Sequence, residues 1–413
     1  MRLLLLFIII YQHTVAQKSL TLRNAVDVAR INNLTLKSSR YNMLYAEQDY
    51  KKSKLSLNPI FNFQYLQLMP WAKEFDAGYS FLNGANSQDW FQLTKKFQVL
   101  GQRKYKMEMT NSMNTLSMAQ FDDLERNIAY SVATQWIEVW YSLQYQKLAV
   151  KAADYIDLWL GETDSLWRIK KNIDEVAFLR FQILDDQYDL EREKAELKYY
   201  NELKELQFML SLNDTLAIAE ADTSEEFDIN ADIDSLVHFA TLKRGDIIAN
   251  MQEIKIAKEN YRWQKSLWLP QPEFGLVANP QNKIPYYGIF FTQPLPVFDK
   301  NQTEIQKSKL MVRQSELEYE KMTKQLKTEI SRALNSYKVN KRLVSVFKHN
   351  LEDAEKMLTI VTQKFISGNT AMVDMWEAER TWYSINITYI ESIKEYRKSY
   401  IDLLFATGLI NDL

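Results

Sequence analysis

Hydrophobic positions along this chain follow two different periods. In the later part Val344, Phe347, Leu351, Ala354, Leu358, Val361 and Phe365 fall at alternating steps of three and four. That spacing turns one stripe of a helix toward another helix along a seam. Met322, Leu326, Ile330, Ala333 and Tyr337 keep nearly the same rhythm upstream, and Leu124, Ile128, Val132, Trp136, Val139 and Leu143 repeat it less regularly in the earlier part. A continuous helix over residues 300–365 spans about 100 Å at 1.5 Å per residue. No compact domain has a core that deep, so the pattern predicts a rod or a tube.

Elsewhere the period is two. Phe61, Phe63 and Tyr65 alternate with Asn62 and Gln64, which puts rings on one face of a strand and amides on the other. Tyr287, Ile289 and Phe291 repeat this less cleanly, and residues 90–99 have the length of a tilted transmembrane strand. Trp71, Tyr79, Trp90 and Tyr286 stand near the expected strand ends, where amphipathic rings favour a lipid–water boundary. Two ordinary hairpins in a soluble protein would also account for four strands, but they would leave exposed edges. Four strands per chain cannot close a conducting barrel. Several chains contributing four each can, and closure satisfies the backbone inside lipid.

The same order of elements occurs twice, which predicts an internal repeat. The first copy covers residues 17–211: a helix, a strand pair at 59–69 and 88–99, a long helix at 102–170 and a helix at 175–211. The second covers 234–413: a helix, a strand pair at 271–279 and 285–295, a long helix at 300–366 and a helix at 371–408. Residues 212–233 join them as an acidic linker or equatorial segment, overlapping a stretch from Asn213 to Thr241 that has no Lys or Arg. Pro59, Pro270, Pro272, Pro294 and Pro296 lie where strands and helices meet. Proline donates no backbone hydrogen bond and disfavours a helical residue before it, so each stops one element before the next begins. The expected fold class is mainly α with a transmembrane β part.

Composition narrows the function. Met1 to Ala16 has the build of a secretory signal peptide: Arg2, an apolar stretch from Leu3 to Tyr11, and the small-residue pattern Thr14-Val15-Ala16. A short buried N-terminal strand is the alternative. Beyond it no run of about 18 apolar residues offers a membrane helix. The formal net charge of −2 gives no basic signature for nucleic acid. There is no cysteine, and the three histidines, His13, His238 and His349, have no metal-site or triad spacing. Nine glycines in 413 residues are too few for the turns of a doubly wound enzyme, and no phosphate-loop motif occurs. No enzyme, cofactor or metal site is expected. The 14 methionines are scattered, as packing residues are.

With that plan in view, the chain resembles the TolC-like outer-membrane efflux proteins, and among them the heavy-metal, CzcC-like branch. The resemblance runs from Leu20 to Gly408. Leu20-Thr21-Leu22-Arg23-Asn24-Ala25-Val26-Asp27-Val28-Ala29 with Asn32-Asn33 is similar to the family's opening helix, and Phe405-Ala406-Thr407-Gly408 to its ending. Phe97-Gln98-Val99-Leu100-Gly101-Gln102-Arg103 resembles the turn from second strand to long helix. Gln293-Pro294-Leu295-Pro296-Val297-Phe298-Asp299-Lys300-Asn301 resembles the same junction in the second repeat, and is the most specific of these markers.

The resemblance implies a homotrimer with a 12-stranded β-barrel in the outer membrane and a coiled-coil α-helical barrel through the periplasm. It implies a passive exit duct for an inner-membrane pump joined through a periplasmic adaptor (membrane fusion protein), with metal cations or other small molecules as cargo. Residues 368–378 are similar to the family's periplasmic tip, and Asp374 and Glu377 take the places of the two acidic residues that ring its aperture. Ordinary first-turn acids favoured by the helix dipole would look the same. Thr370 stands where the best-known members carry a basic residue. Asn172, Ile173 and Asp174 in the first repeat, and Gly368, Asn369 and Thr370 in the second, are the expected adaptor-contact tips. A competing reading is an exported coiled-coil scaffold without a pore.

Overall fold

A computed structural model of the chain describes residues 19–78, 84–170, 175–212, 216–219, 232–281, 284–367 and 369–412. The expected signal peptide, Tyr79, the tip residues Asn172, Ile173, Asp174 and Gly368, and most of the acidic linker lie outside the described residues. What is described is mostly helical. The elements run β1 (Ser19–Leu20), α1 (Leu22–Asn32), α2 (Leu34–Ser53), β2 (Ile60–Gln67), β3 (Ser87–Lys96), α3 (Gln102–Lys170), α4 (Glu175–Met209), β4 (Ala217–Ile218), α5 (Ile233–Lys243), α6 (Gly245–Ser266), β5 (Glu273–Gln281), β6 (Ile284–Thr292), α7 (Gln302–Ile366) and α8 (Met372–Thr407).

The two longest helices, of 69 and 65 residues, are α3 and α7. No proline interrupts either, and Gly161 is the one glycine between them, so nothing in their interiors costs the several kcal/mol that would break a helix. Both begin behind a sharp backbone reversal. Leu100 (φ 53°) and Gly101 (φ 79°) precede α3, and Asn301 (φ 58°) precedes α7. No described helix is long and apolar enough to cross a membrane.

The chain divides into two compact units. One consists of residues 1–37, 123–244 and 326–413. Leu22, Ala25, Val26 and Ala29 give α1 a buried stripe at helical spacing, and Thr21 caps it by accepting from the Asn24 N–H at 3.2 Å. That stripe joins Ala129, Val132, Ala133, Trp136 and Ile137 of α3, Leu206 of α4 with Leu210 just past its end, and Ile401 and Leu404 of α8. The alanines leave room for close helix approach. The Trp136 indole N–H donates to the Leu20 carbonyl at 3.0 Å, so the core also holds β1, which pairs in parallel with β4. Along α7 the buried stripe is Leu326, Ile330, Leu334 and Tyr337, with Ala333 half-buried beside Leu334.

Three arginines converge on the end of α8 and the short turn that follows it in this unit. Arg126 donates to the Phe405 carbonyl at 2.9 Å, Arg244 to Ala406 at 2.8 Å and Arg30 to Asn411 at 2.7 Å. Each also meets a carboxylate: Asp123 at 2.8 Å, Glu329 at 2.9 Å and Glu125 at 3.1 Å. The last carbonyls of a helix have no partner within it and carry its negative end, which explains why cations gather there.

The second unit consists of residues 38–122 and 245–325 and contains a four-stranded antiparallel sheet in the order β2-β3-β5-β6. Its central pairing, β3 with β5, joins strands from opposite halves of the chain. The register aligns Phe61 with Leu93, Leu276 and Ile289, and Phe63 with Phe91, Ala278 and Tyr287.

Candidate functional site

The sheet's alternation gives it two chemically different faces. Because side chains alternate along each strand, the register collects Phe61, Phe63, Leu93, Leu276, Ile289 and Phe291 on one side. These are exposed, Ile289 by 85% of its surface, and neighbouring Tyr287 by 83%. Adjacent rings pack at a tilt along the surface, with Phe63 and Phe91 at 5.1 Å between centroids and Phe274 and Phe291 at 4.8 Å. Asn62, Gln64, Gln92 and Thr94 occupy the opposite face, together with Ile60, Trp90, Val277 and Phe290. The edge strands β2 and β6 pair with no further strand among the described residues.

The predicted junction residues all lie in connections between helices and strands, and amide side chains from the quoted junction motifs tie several of them together. Pro59 immediately precedes β2 and Gly101 immediately precedes α3. Gln102, fully buried, donates from its amide to the Ser266 and Leu269 carbonyls at 3.2 and 2.9 Å. It thereby satisfies the end of α6 just before Pro270. Gln293 donates to the Pro270 carbonyl at 3.0 Å and to Pro294 at 2.9 Å, bringing those two prolines together. Pro296 stands half-buried further along the same connection. Asn301 donates from its side chain to the Gln264 carbonyl at 2.8 Å.

At the start of α8 the buried residues are Met375, Trp376, Ala378, Glu379 and Trp382. Their three- and four-residue spacing turns Asp374 and Glu377 to the exposed side. The Asp374 carboxylate accepts from the Thr370 hydroxyl at 2.6 Å and from the Ala371 N–H at 3.3 Å. It therefore acts as the reaching-back half of a capping box; Ala371 has no side-chain acceptor to complete the other half. Asn369 is held by its N–H to the Lys364 carbonyl at 2.8 Å and by its amide to Ser367 at 3.0 Å. Glu377 lines an open polar recess with Tyr188, Arg380, Thr381 and Ser384.

One residue in this region escaped the sequence reading. Glu379 is only 1% exposed. Burial pushes its carboxyl up to about 7, opposed by the Tyr188 hydrogen bond and by Arg380. The Tyr188 hydroxyl donates to Glu379 Oε2 at 2.8 Å, while Oε1 is buried with no hydrogen-bond partner among the described residues. Tyr188 meets Tyr383 edge-on at 5.1 Å and packs with Leu148, Ala152, Ile156 and Trp382. A signal was present: Glu379 falls four residues after Met375 and three before Trp382, squarely on the apolar stripe. Among the described residues no group of three or more His, Asp or Glu side chains could hold a metal ion.

The chain has the fold of known outer-membrane channel structures. It is similar to the crystal structure of CusC, with a TM-score of 0.78 at 14% identity over 94% of this chain and 92% of that one. The Campylobacter jejuni CmeC outer membrane channel gives 0.75 at 16% identity over 94% and 85%. The open state of the Neisseria gonorrhoeae MtrE outer membrane channel gives 0.75 at 15% identity over 94% and 89%. At the sequence level, residues 236–409 match the family described as outer membrane efflux protein. No curated protein matches the chain.

Proposed function

We propose that this chain is the outer-membrane channel subunit of a tripartite efflux system, working as a homotrimer. The observation that carries this reading is an unfinished sheet. Among the described residues its two edges are open and its apolar face is uncovered, a combination that would be an aggregation hazard in water. Three copies pairing edge to edge form a closed 12-stranded barrel, with the aromatic face toward lipid and the amide face toward a lumen. The family match over residues 236–409 and the likeness to structures described as outer-membrane or transmembrane channels support it.

On this reading residues 1–16 are a signal peptide that exports the chain, and 17–211 and 234–413 are two repeats joined by the acidic segment at 212–233. The long helices form the periplasmic conduit. Asn172, Ile173 and Asp174, with Gly368, Asn369 and Thr370, form the tips that an adaptor grips, and an inner-membrane pump delivers cargo through it. Three copies of Asp374 and Glu377 ring the aperture and favour cations by their field. Glu377, whose side chain is exposed, is the freer of the two; Asp374 shares its charge with the helix start. Metal cations fit such a ring, and other small molecules remain compatible with it.

The test is direct. The protein should sediment with outer membranes, run as a heat-sensitive oligomer in detergent and conduct ions in a planar bilayer. A compact, water-soluble monomer with no conductance would sink the proposal. Growth of a deletion strain against metals and antibiotics then separates the cargo classes.

A further inference from the structure

The core beneath the start of α8 contains a carboxyl that the duct reading does not use. We propose that Glu379 is a proton-binding latch: while its carboxyl is protonated the first turns of α8 stay packed on α4, and loss of the proton loosens them. The grounds are geometric. Glu379 is buried, one of its two oxygens has a single donor in Tyr188, and the other has none among the described residues. A neutral carboxyl tolerates this surrounding, because Tyr188 can either donate to it or accept from it. A carboxylate there keeps one hydrogen bond and a buried, unpartnered oxygen, which is a costly state in low dielectric.

The groups around it do little to offset that cost. From α4 come Tyr188 and, through its place over the Trp376 ring at 5.5 Å, Arg180. From α3, Lys151 sits over the Trp382 ring at 5.0 Å, and Tyr145 hydrogen-bonds Glu191 of α4. From α8 itself come Arg380 and Tyr383, and Arg380 lies on the exposed side. From α7 the apolar contact to this core is Leu358. Arg380 and Tyr188 favour the carboxylate, yet burial outweighs them.

The sign follows from the direction of the shift. The carboxyl is raised from 4.5 to about 7 in the folded protein. Its contribution to α8 packing is therefore complete below about pH 4.5 and is lost progressively as pH rises to about 7, with no further loss above. Helix ends open at low cost, so the loosening should be confined to the first turns. This inference concerns α4–α8 packing and does not require that the chain conduct anything.

Amide exchange of residues 372–384, measured on the full chain in detergent and corrected for the intrinsic pH dependence, tests it. Protection should fall about tenfold or more between pH 5.5 and 8.5 in the wild type, and stay within about twofold in Glu379→Gln. Unchanged wild-type protection, or an equal fall in Glu379→Gln, overturns the proposal. If that variant does not fold, Tyr188→Phe decides: removing the donor to the carboxylate should extend the fall to higher pH, and an unaltered pH profile overturns it.

Discussion

The ring of Phe290 on β6 lies directly across Gly275 on β5, so close that a Cβ at residue 275 would stand 2.3 Å from it. The two are register partners, and the ring covers backbone that the glycine leaves bare, as cross-strand aromatics do. Gly275→Ala should therefore displace the ring and cost about 1–3 kcal/mol. Gly275→Ala combined with Phe290→Ala should cost less than the sum of the two single changes. A double-mutant cycle on thermal unfolding in detergent checks both; strict additivity would mean that the ring can move freely.

Arg244 is a buried cation at the end of α8, bonded to the Ala406 carbonyl and to Glu329. Arg244→Ala leaves a buried carbonyl without this donor and should lower stability by about 2–3 kcal/mol. Because the guanidinium is shielded from solvent, the loss should change little between 0.05 and 0.5 M salt, on the order of a few tenths of a kcal/mol. Denaturant unfolding at the two salt concentrations measures it. A loss that disappears at high salt would contradict the buried geometry.

The two faces of the sheet make opposite predictions for a single charge. Ile289→Lys, on the apolar face, should reduce recovery in the outer membrane, with a penalty of roughly 2–4 kcal/mol if the side chain meets the bilayer midplane. Gln92→Lys, on the amide face, should insert normally and alter conductance instead. Quantifying folded oligomer in membranes for each variant separates the faces, and equal behaviour would count against a lipid-facing sheet.

Asp374 and Glu377 should separate by what each does locally. Asp374→Ala removes the carboxylate that holds Thr370 and Ala371, so it should cost about 1 kcal/mol of helix-start stability as well as altering selectivity. Glu377→Gln should leave stability unchanged and reduce cation preference alone. Melting temperature together with bilayer reversal potential distinguishes them.

How much of this was legible beforehand depended on the range of the interaction. The mostly helical character followed from three-and-four spacing, which is local: Leu326, Ile330 and Tyr337 lie on the buried stripe that their spacing predicts, while Met322 is half-buried and Leu334 is buried in place of Ala333. The ring-and-amide alternation of Phe61 to Tyr65 likewise needed only neighbouring residues. Glu379 could have been found by the same count, since its position on an apolar stripe is visible, but its single partner Tyr188 lies 191 residues away.

What the sequence determined by itself, then, was the period of each segment and the places where periods stop, because those depend on backbone geometry and on residues a few positions apart. Tertiary structure alone decided that β3 pairs with β5, that Gln102 reaches the carbonyls of Ser266 and Leu269, and that three arginines meet the end of α8 and the turn after it. Those contacts join residues far apart along the chain. A side chain's own type sets what it can bond to, but only the closed fold sets which carbonyl or strand arrives beside it.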